Sequence, residues 1–186
     1  NQRLGQFITA KTGFDTSLAM EMFTHEKTNS VSQLKEDFSN LVNEVADVIS
    51  TEGRIKYNSH VEYDDFDIFK GITFWAPNIN IVRDPRWGRG QETFGEDPFL
   101  TSVLGKAFIK GIQGDGEFLK ATACSKHYAG HSGPEKDRHG FDAQISMHDL
   151  WETYLPAFEK TVKEGGVAGV MGAYNRTNGE PCCAHS

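Results

Sequence analysis

What is missing from this 186-residue chain narrows it before any motif is read. No window approaches the roughly 18 consecutive apolar residues that mark a membrane span. The first residues carry neither the basic start nor the apolar core of an export signal, so a membrane is not an expected partner. Cysteine is scarce: Cys124, Cys182 and Cys183 are an odd number, two of them adjacent, which is a poor disulfide framework and points to a reduced or weakly oxidising setting. Basic charge is also in deficit, with 19 Lys and Arg against 26 Asp and Glu and a formal charge of -7. Phosphate binding needs clustered, uncompensated Lys and Arg, so nucleic acid is not an expected partner. The familiar catalytic signatures are absent too. No G-x-S-x-G elbow offers a serine nucleophile, no G-x-x-x-x-G-K-[ST] or G-x-G-x-x-G loop offers a phosphate cradle, and neither H-E-x-x-H nor C-x-x-C offers a zinc site. The chain starts at Asn1 rather than a methionine and stops at Ser186 without a closing element, so it is expected to be a processed piece or a fragment.

What is present suits one soluble core of ordinary size, with 38% hydrophobic residues. From Ser32, Leu34, Phe38, Leu41, Val42, Val45, Val48 and Ile49 recur at steps of three and four, which predicts an amphipathic helix. The acidic, aperiodic stretch 58–70 reads as a loop, and "GITFWAPNINIV" as a buried strand ending near Asn78 or Asn80. Asp97 before Pro98 announces a second helix, with Gly111 and Gly114 near its end. "FLKATACSKHY" reads as a strand. "SMHD" reads as a capping box before Leu150, Tyr154, Phe158 and Val162, in a helix that Pro156 is expected to kink. "GGVAGVMGAYN" reads as a third strand. Helix and strand alternate, which predicts an α/β fold with a parallel sheet and sites at the C-terminal strand ends.

Those strand ends collect the polar residues: Asn78, Asn80, Arg83, Asp84, Arg86, Arg89, Glu92, Lys126, His127, Arg138, Tyr174 and Asn175. Some have a bland reading, in which Arg86 pairs with Asp84 and Glu96 and Asp97 serve the following helix. Lys126 beside His127 resists that reading, because two cationic groups at the end of an apolar strand need acceptors. His127, His131 and His139, with Cys124 nearby, are numerous enough to hold a metal and would make a metal-dependent hydrolase. Their spacing matches no known zinc pattern and Lys126 would repel a cation, so no metal and no cofactor is expected. A polyhydroxylated ligand fits better. Asp, Arg, Lys and His give charge-assisted hydrogen bonds to hydroxyls, and Trp75, Trp87 or Tyr174 offers a ring face.

Three blocks, "NIVRDPRWGRGQETFGEDPFLTS", "KHYAGHSGPE" and "VMGAYNRTNGEPCC", resemble in order and spacing the N-terminal domain of glycoside hydrolase family 3, in its bacterial β-glucosidase and β-xylosidase branch. The resemblance runs from about residue 39 to 186. Residues 1–38 match poorly and take no assignment from it.

The resemblance implies a (β/α)8 barrel, here incomplete, and retaining hydrolysis of terminal non-reducing β-D-glucosyl or β-D-xylosyl residues of β-linked oligosaccharides. Carried over by motif, Arg89, Lys126, His127 and Arg138 would bind sugar hydroxyls, and Tyr174 would lie under the reacting sugar. His131 is expected to shape its loop, and Lys136 to be solvated. A retaining glycosidase needs two carboxyl groups about 5 Å apart. In the family the nucleophile lies on a strand beyond "GEPCC", the acid/base in a later domain, and an upstream sugar-gripping acid has no match here. This chain would then supply one wall of a site, would need the remainder of the barrel and a second domain as partners, and would tend to associate through unpaired strand edges without them. Two alternatives stand beside this reading. One is a non-catalytic carbohydrate-binding or interaction module. The other is a β-N-acetylglucosaminidase that uses Asp137 and His139 as an acid/base dyad, although that branch carries glycine where Ser132 stands.

Overall fold

Apolar side chains at helical spacing build α1 (Val31–Val61), longer than its periodic stripe implies, in a computed structural model that describes residues 31–185. The poorly matched N-terminal stretch lies outside the described residues up to residue 30. The chain divides between Phe38 and Ser39 into two units, and the second holds everything described below. The helix continues into the stretch read as a loop, because Asn58, Ser59 and His60 carry the ladder one turn further. It ends where Asp64 takes a positive φ of 54° and the His60 carbonyl accepts from both Tyr63 and Asp65.

The first strand is shorter than the apolar run predicts. β1 (Thr73–Phe74) has two residues, since Pro77 lacks an N–H and interrupts the ladder. The chain nevertheless stays alongside its neighbour: Cys124 N–H donates to Ala76, Lys126 N–H to Pro77 at 3.1 Å, and Ile79 N–H back to Lys126 at 2.9 Å. α2 (Pro98–Gln113) begins as its punctuation predicts, with the Asp97 carboxylate accepting from Leu100 N–H, and ends at Gly114 with φ 70°. β2 (Thr122–Tyr128) and the two-residue β3 (Asp142–Ala143) follow. Ser146 then caps α3 (Met147–Asp149), with its hydroxyl accepting from Asp149 N–H at 3.0 Å. Pro156 marks the expected irregularity. A π turn (Leu150–Tyr154), closed by Leu155 N–H to Leu150 C=O, separates α3 from α4 (Pro156–Lys163). β4 (Gly169–Gly172) leads into β5 (Arg176–Thr177) and β6 (Glu180–Pro181).

The architecture is mixed α/β. β1, β2 and β4 form a parallel sheet in that order, the product of two β–helix–β crossovers. A second small sheet, in which β3 pairs parallel with β5 and β5 antiparallel with β6, was not legible in the sequence. Helices pack on the parallel sheet through small residues. A side chain at Gly111 would place its Cβ 2.3 Å from the Asn43 carbonyl oxygen, so only glycine admits this crossing of α1 and α2. Ser50, fully buried, donates across the same contact to the Gly111 carbonyl at 3.1 Å. Ala46, Ile109, Ile112, Ala121 and Ala123 form the apolar centre there. Buried Gln113 ties the layers together: its amide donates to Gly166 and its carbonyl accepts from Ala168 at 2.8 Å, so the starts of the strands are held near the end of α2. The polar strand ends lie at the opposite end of the sheet. No described helix is long and apolar enough to cross a membrane.

Candidate functional site

The loop after β1 brings Arg89 to the sheet end. A short 3-10 turn (Gly90–Glu92) places Glu92 three residues on, and the two side chains meet in a forked pair, Nε to Oε1 and one terminal nitrogen to Oε2, both at 2.6 Å. The fork fixes the guanidinium plane. The remaining terminal nitrogen lies 3.5 Å from Nε2 of His127. Hydrogen bonding from Arg89 holds the Glu92 carboxyl below its ordinary range against the opposing effect of burial, so it is an anion and an anchor.

Lys126 and His127 come from the end of β2, where the pairing with β4 shifts register between Lys126 and Tyr128. An irregularity of that kind re-aims successive side chains, and both members of the pair lie near Arg89. Burial lowers the Lys126 pKa, Arg89 adds to the effect, and Glu92 opposes it. Among the described residues its ammonium makes no hydrogen bond. His127 is 3% exposed. Burial, then the neighbouring His131, Arg89 and Lys126, push its pKa down to about 3, so the ring is neutral through the physiological range.

Asn80, at the end of the first strand run, accepts at Oδ1 from the His127 N–H at 2.8 Å and lies 3.0 Å from its Nδ1. Its amide donates to the carbonyls of His127 and Ala129. His131, on the loop after β2, has the same kind of partner: Nδ1 lies 2.8 Å from Oδ1 of Asn175, whose amide donates to Gly130 and Arg176. Burial lowers the His131 pKa, with the Asn175 bond opposing it. Through Asn175, His131 links the loop after β2 to the chain just past β4. The two imidazoles lie 4.4 Å apart, centroid to centroid. Ser132 follows with φ 68°, a conformation in which glycine is more at ease.

Tyr174, just past β4 and 47% exposed, forms the open aromatic face. Its ring lies edge-on to His131 at 5.1 Å and stacked on His139 at 5.3 Å. Trp87 is buried and edge-on to His131, which makes it packing rather than an open platform. Trp75 stands elsewhere, in a groove with Tyr57, Phe69 and Phe74 on the α1 side of β1.

Arg138 reaches the cluster through Glu135, with which it is ion-paired. The other oxygen of Glu135 accepts from Gly88 N–H at 3.0 Å, linking the loop after β2 to the one after β1. A Cβ at Gly88 would sit 2.6 Å from that carboxylate, so a side chain there would push the end of Glu135 aside. The sequence reading did not single out Glu135. Its one local signal is the three-residue step to Arg138, and the long-range half of the bridge is invisible in the sequence.

The remaining candidates separate from this group. Arg83 turns to the rings of Phe141 and Tyr154. Arg86 forks onto Asp84 and holds that carboxyl down at about 2, as the bland reading expects. Lys136 is exposed. Asp137 and His139 make no hydrogen bond to one another; His139 stacks on Tyr174 instead. No cluster of three or more metal-ligating side chains occurs among the described residues.

A forked arginine, a neutral histidine, an unbonded lysine and an exposed tyrosine thus converge at the C-terminal ends of parallel strands. Comparison with known proteins gives this arrangement its context. The profile of the Glycosyl hydrolase family 3 N terminal domain matches residues 59–186. A xylan 1,4-beta-xylosidase from Xylanibacter ruminicola is 51% identical over 150 residues, covering 77% of this chain and 17% of that protein. A probable beta-D-xylosidase from Arabidopsis thaliana is 46% identical over 151 residues, covering 75% and 19%. Among solved structures, an exo-beta-xylosidase of glycoside hydrolase family 3, in complex with a xylobiose aziridine activity-based probe, superposes with a TM-score of 0.70 at 40% identity, covering 79% of this chain and 19% of that one. A beta-glucosidase from Listeria innocua superposes with a TM-score of 0.64 at 33% identity, covering 80% and 20%. The chain therefore spans a fifth or less of the length of these relatives.

Proposed function

The chain belongs to glycosyl hydrolase family 3, and on that premise we propose that it forms one wall of the active site of a retaining β-glycosidase acting on terminal β-D-xylosyl or β-D-glucosyl residues. The observation that carries this reading is the convergence of Arg89, Lys126 and His127 at the strand ends, with Tyr174 beside them. Together they offer directed donors, a neutral acceptor and a ring face to a sugar. Arg138 joins this set through Glu135. The relatives' names favour xylosides or glucosides as substrates.

The two catalytic carboxyl groups are assigned to parts of a longer polypeptide outside these 186 residues. The acids in and around the described cluster support that assignment: Glu92, Glu135 and Asp84 are each held by an arginine. In this reading they anchor the arginines, and the attacking and protonating pair that a retaining mechanism needs comes from elsewhere in the longer polypeptide. In the same reading β1, β2 and β4 are staves of a (β/α)8 barrel that the rest of the chain completes, and residues 39–186 form the barrel portion. Assay of the full-length protein on aryl β-D-xylosides and β-D-glucosides tests the proposal. Turnover is expected from it and none from the 186-residue chain alone. Turnover by the isolated chain, abolished by a substitution within it, would contradict the division of labour.

A further inference from the structure

The Asn80 side chain is committed at all of its polar atoms. The atom 2.8 Å from the His127 backbone N–H must be an acceptor, because that N–H can only donate. The opposite end faces two carbonyl oxygens, those of His127 and Ala129, at 2.9 and 3.1 Å, and must donate. The amide therefore has one orientation, with Oδ1 toward His127. Nδ1 of the His127 ring lies 3.0 Å from that same Oδ1, so it has to carry the proton. Asn175 repeats the construction at His131. Its amide is spent on the carbonyls of Gly130 and Arg176, leaving Oδ1 at 2.8 Å from Nδ1.

We propose that Asn80 is a positioning residue that holds His127 as the neutral Nδ1–H tautomer, so that Nε2 meets a substrate hydroxyl as a hydrogen-bond acceptor, and that Asn175 fixes the same tautomer at the buried His131. The proposal rests on the sugar-binding reading of the site. It also explains the polarity of the cluster. Arg89 and Lys126 can only donate, and a hydroxyl that accepts from them has a hydrogen left to give. The buried His127 Nε2 takes that hydrogen, while Arg89 approaches the same atom at 3.5 Å. A histidine that charged would become a third cation among donors. Every neighbour that bears on its charge is in place: Arg89 and Glu92 from the loop after β1, Lys126 from its own strand, His131 from the following loop, and Tyr174 past β4.

An asparagine does what an aspartate would undo. Asn80→Asp keeps the shape and the acceptor but puts a carboxylate against the ring, which favours the imidazolium. In full-length protein, the profile of kcat/KM against pH for an aryl β-xyloside is expected to show no His127 limb between pH 5 and 8 in the wild type. Asn80→Asp adds an acid-side limb within that range, falling about tenfold per pH unit below the new pKa and carried mainly by KM. Parallel profiles, with the variant uniformly slower at every pH, would overturn the proposal, because a merely structural asparagine predicts that result. The 15N shifts of histidine-labelled wild-type protein read the tautomer with no substitution at all. Protonated Nδ1 with bare Nε2 at His127 and His131 is expected down to about pH 5, given burial of both rings. Nε2–H tautomers or an imidazolium would overturn the proposal even if the variant failed to fold. A full-length protein that turns over neither glycoside, yet shows the expected shifts, would instead remove the functional reading and leave the tautomer assignment standing.

Discussion

Arg89 and Glu92 lock one another through two parallel hydrogen bonds of 2.6 Å, and the third nitrogen of the guanidinium is thereby aimed at His127. The lock matters because a free arginine carries many rotamers that binding would have to freeze. Glu92→Gln in the full-length enzyme removes the charge and half of the fork. KM for an aryl β-xyloside is expected to rise roughly threefold to tenfold, as befits a partly screened charge-assisted pair, with a smaller change in kcat. Steady-state kinetics of the variant check the split.

The Gly88–Glu135–Arg138 bridge gives a second prediction. Gly88→Ala forces its Cβ against the Glu135 carboxylate and displaces the partner of Arg138. A loss of substrate affinity with little change in Tm is expected, since the contact lies between two loops at the strand ends. A large drop in Tm with unchanged KM would make the bridge a fold element instead.

Buried neutral His127 makes stability depend on pH with a definite sign. Its folded pKa of about 3 lies below the ordinary value of 6.5, so the unfolded chain binds the extra proton between those limits. Stability is then present above about pH 6.5 and lost as pH falls toward 3, by at most about 1.4 kcal/mol per pH unit. Thermal melts of wild type and His127→Gln between pH 7 and 4 should diverge, with the variant showing the flatter profile.

Packing of α1 on α2 is tested by Gly111→Ala. The added methyl would meet the Asn43 carbonyl and Ala46, backbone and small side chain that have nowhere to move. A loss of about 1–3 kcal/mol is expected, of the order seen when tight cores are overpacked. Denaturant unfolding measures it.

Legibility in the sequence tracked the range of the interaction that decides each feature. α2 was fully announced because Asp97, Pro98 and Gly114 act within a few residues. The cap at Ser146 and the pair between Asp84 and Arg86 were equally local. The end of α1 and the brevity of β1 were misjudged. Asn58, Ser59 and His60 extend the helix by a turn before the acidic run begins, and a proline can interrupt a ladder while the chain keeps its course. β3, β5 and β6 pair short segments far apart in sequence and carry no periodic signal. In the site, Lys126 and His127 stood out as paired cations at a strand end. Asn80 and Asn175 were visible only as polar residues. Their partners lie 47 and 44 positions away, and the distances alone give them a role.

The central claim is that this wall of the site grips a terminal β-linked sugar, and Lys126 tests it most directly because its ammonium makes no hydrogen bond among the described residues. The measurement is kcat/KM of the full-length protein on aryl β-D-xyloside and β-D-glucoside, for wild type and Lys126→Ala. The account predicts wild-type turnover of at least one glycoside and a loss of roughly tenfold to hundredfold in the variant, the scale of a charge-assisted bond to substrate. Absence of turnover on both glycosides, or a Lys126→Ala enzyme as efficient as wild type, would contradict it.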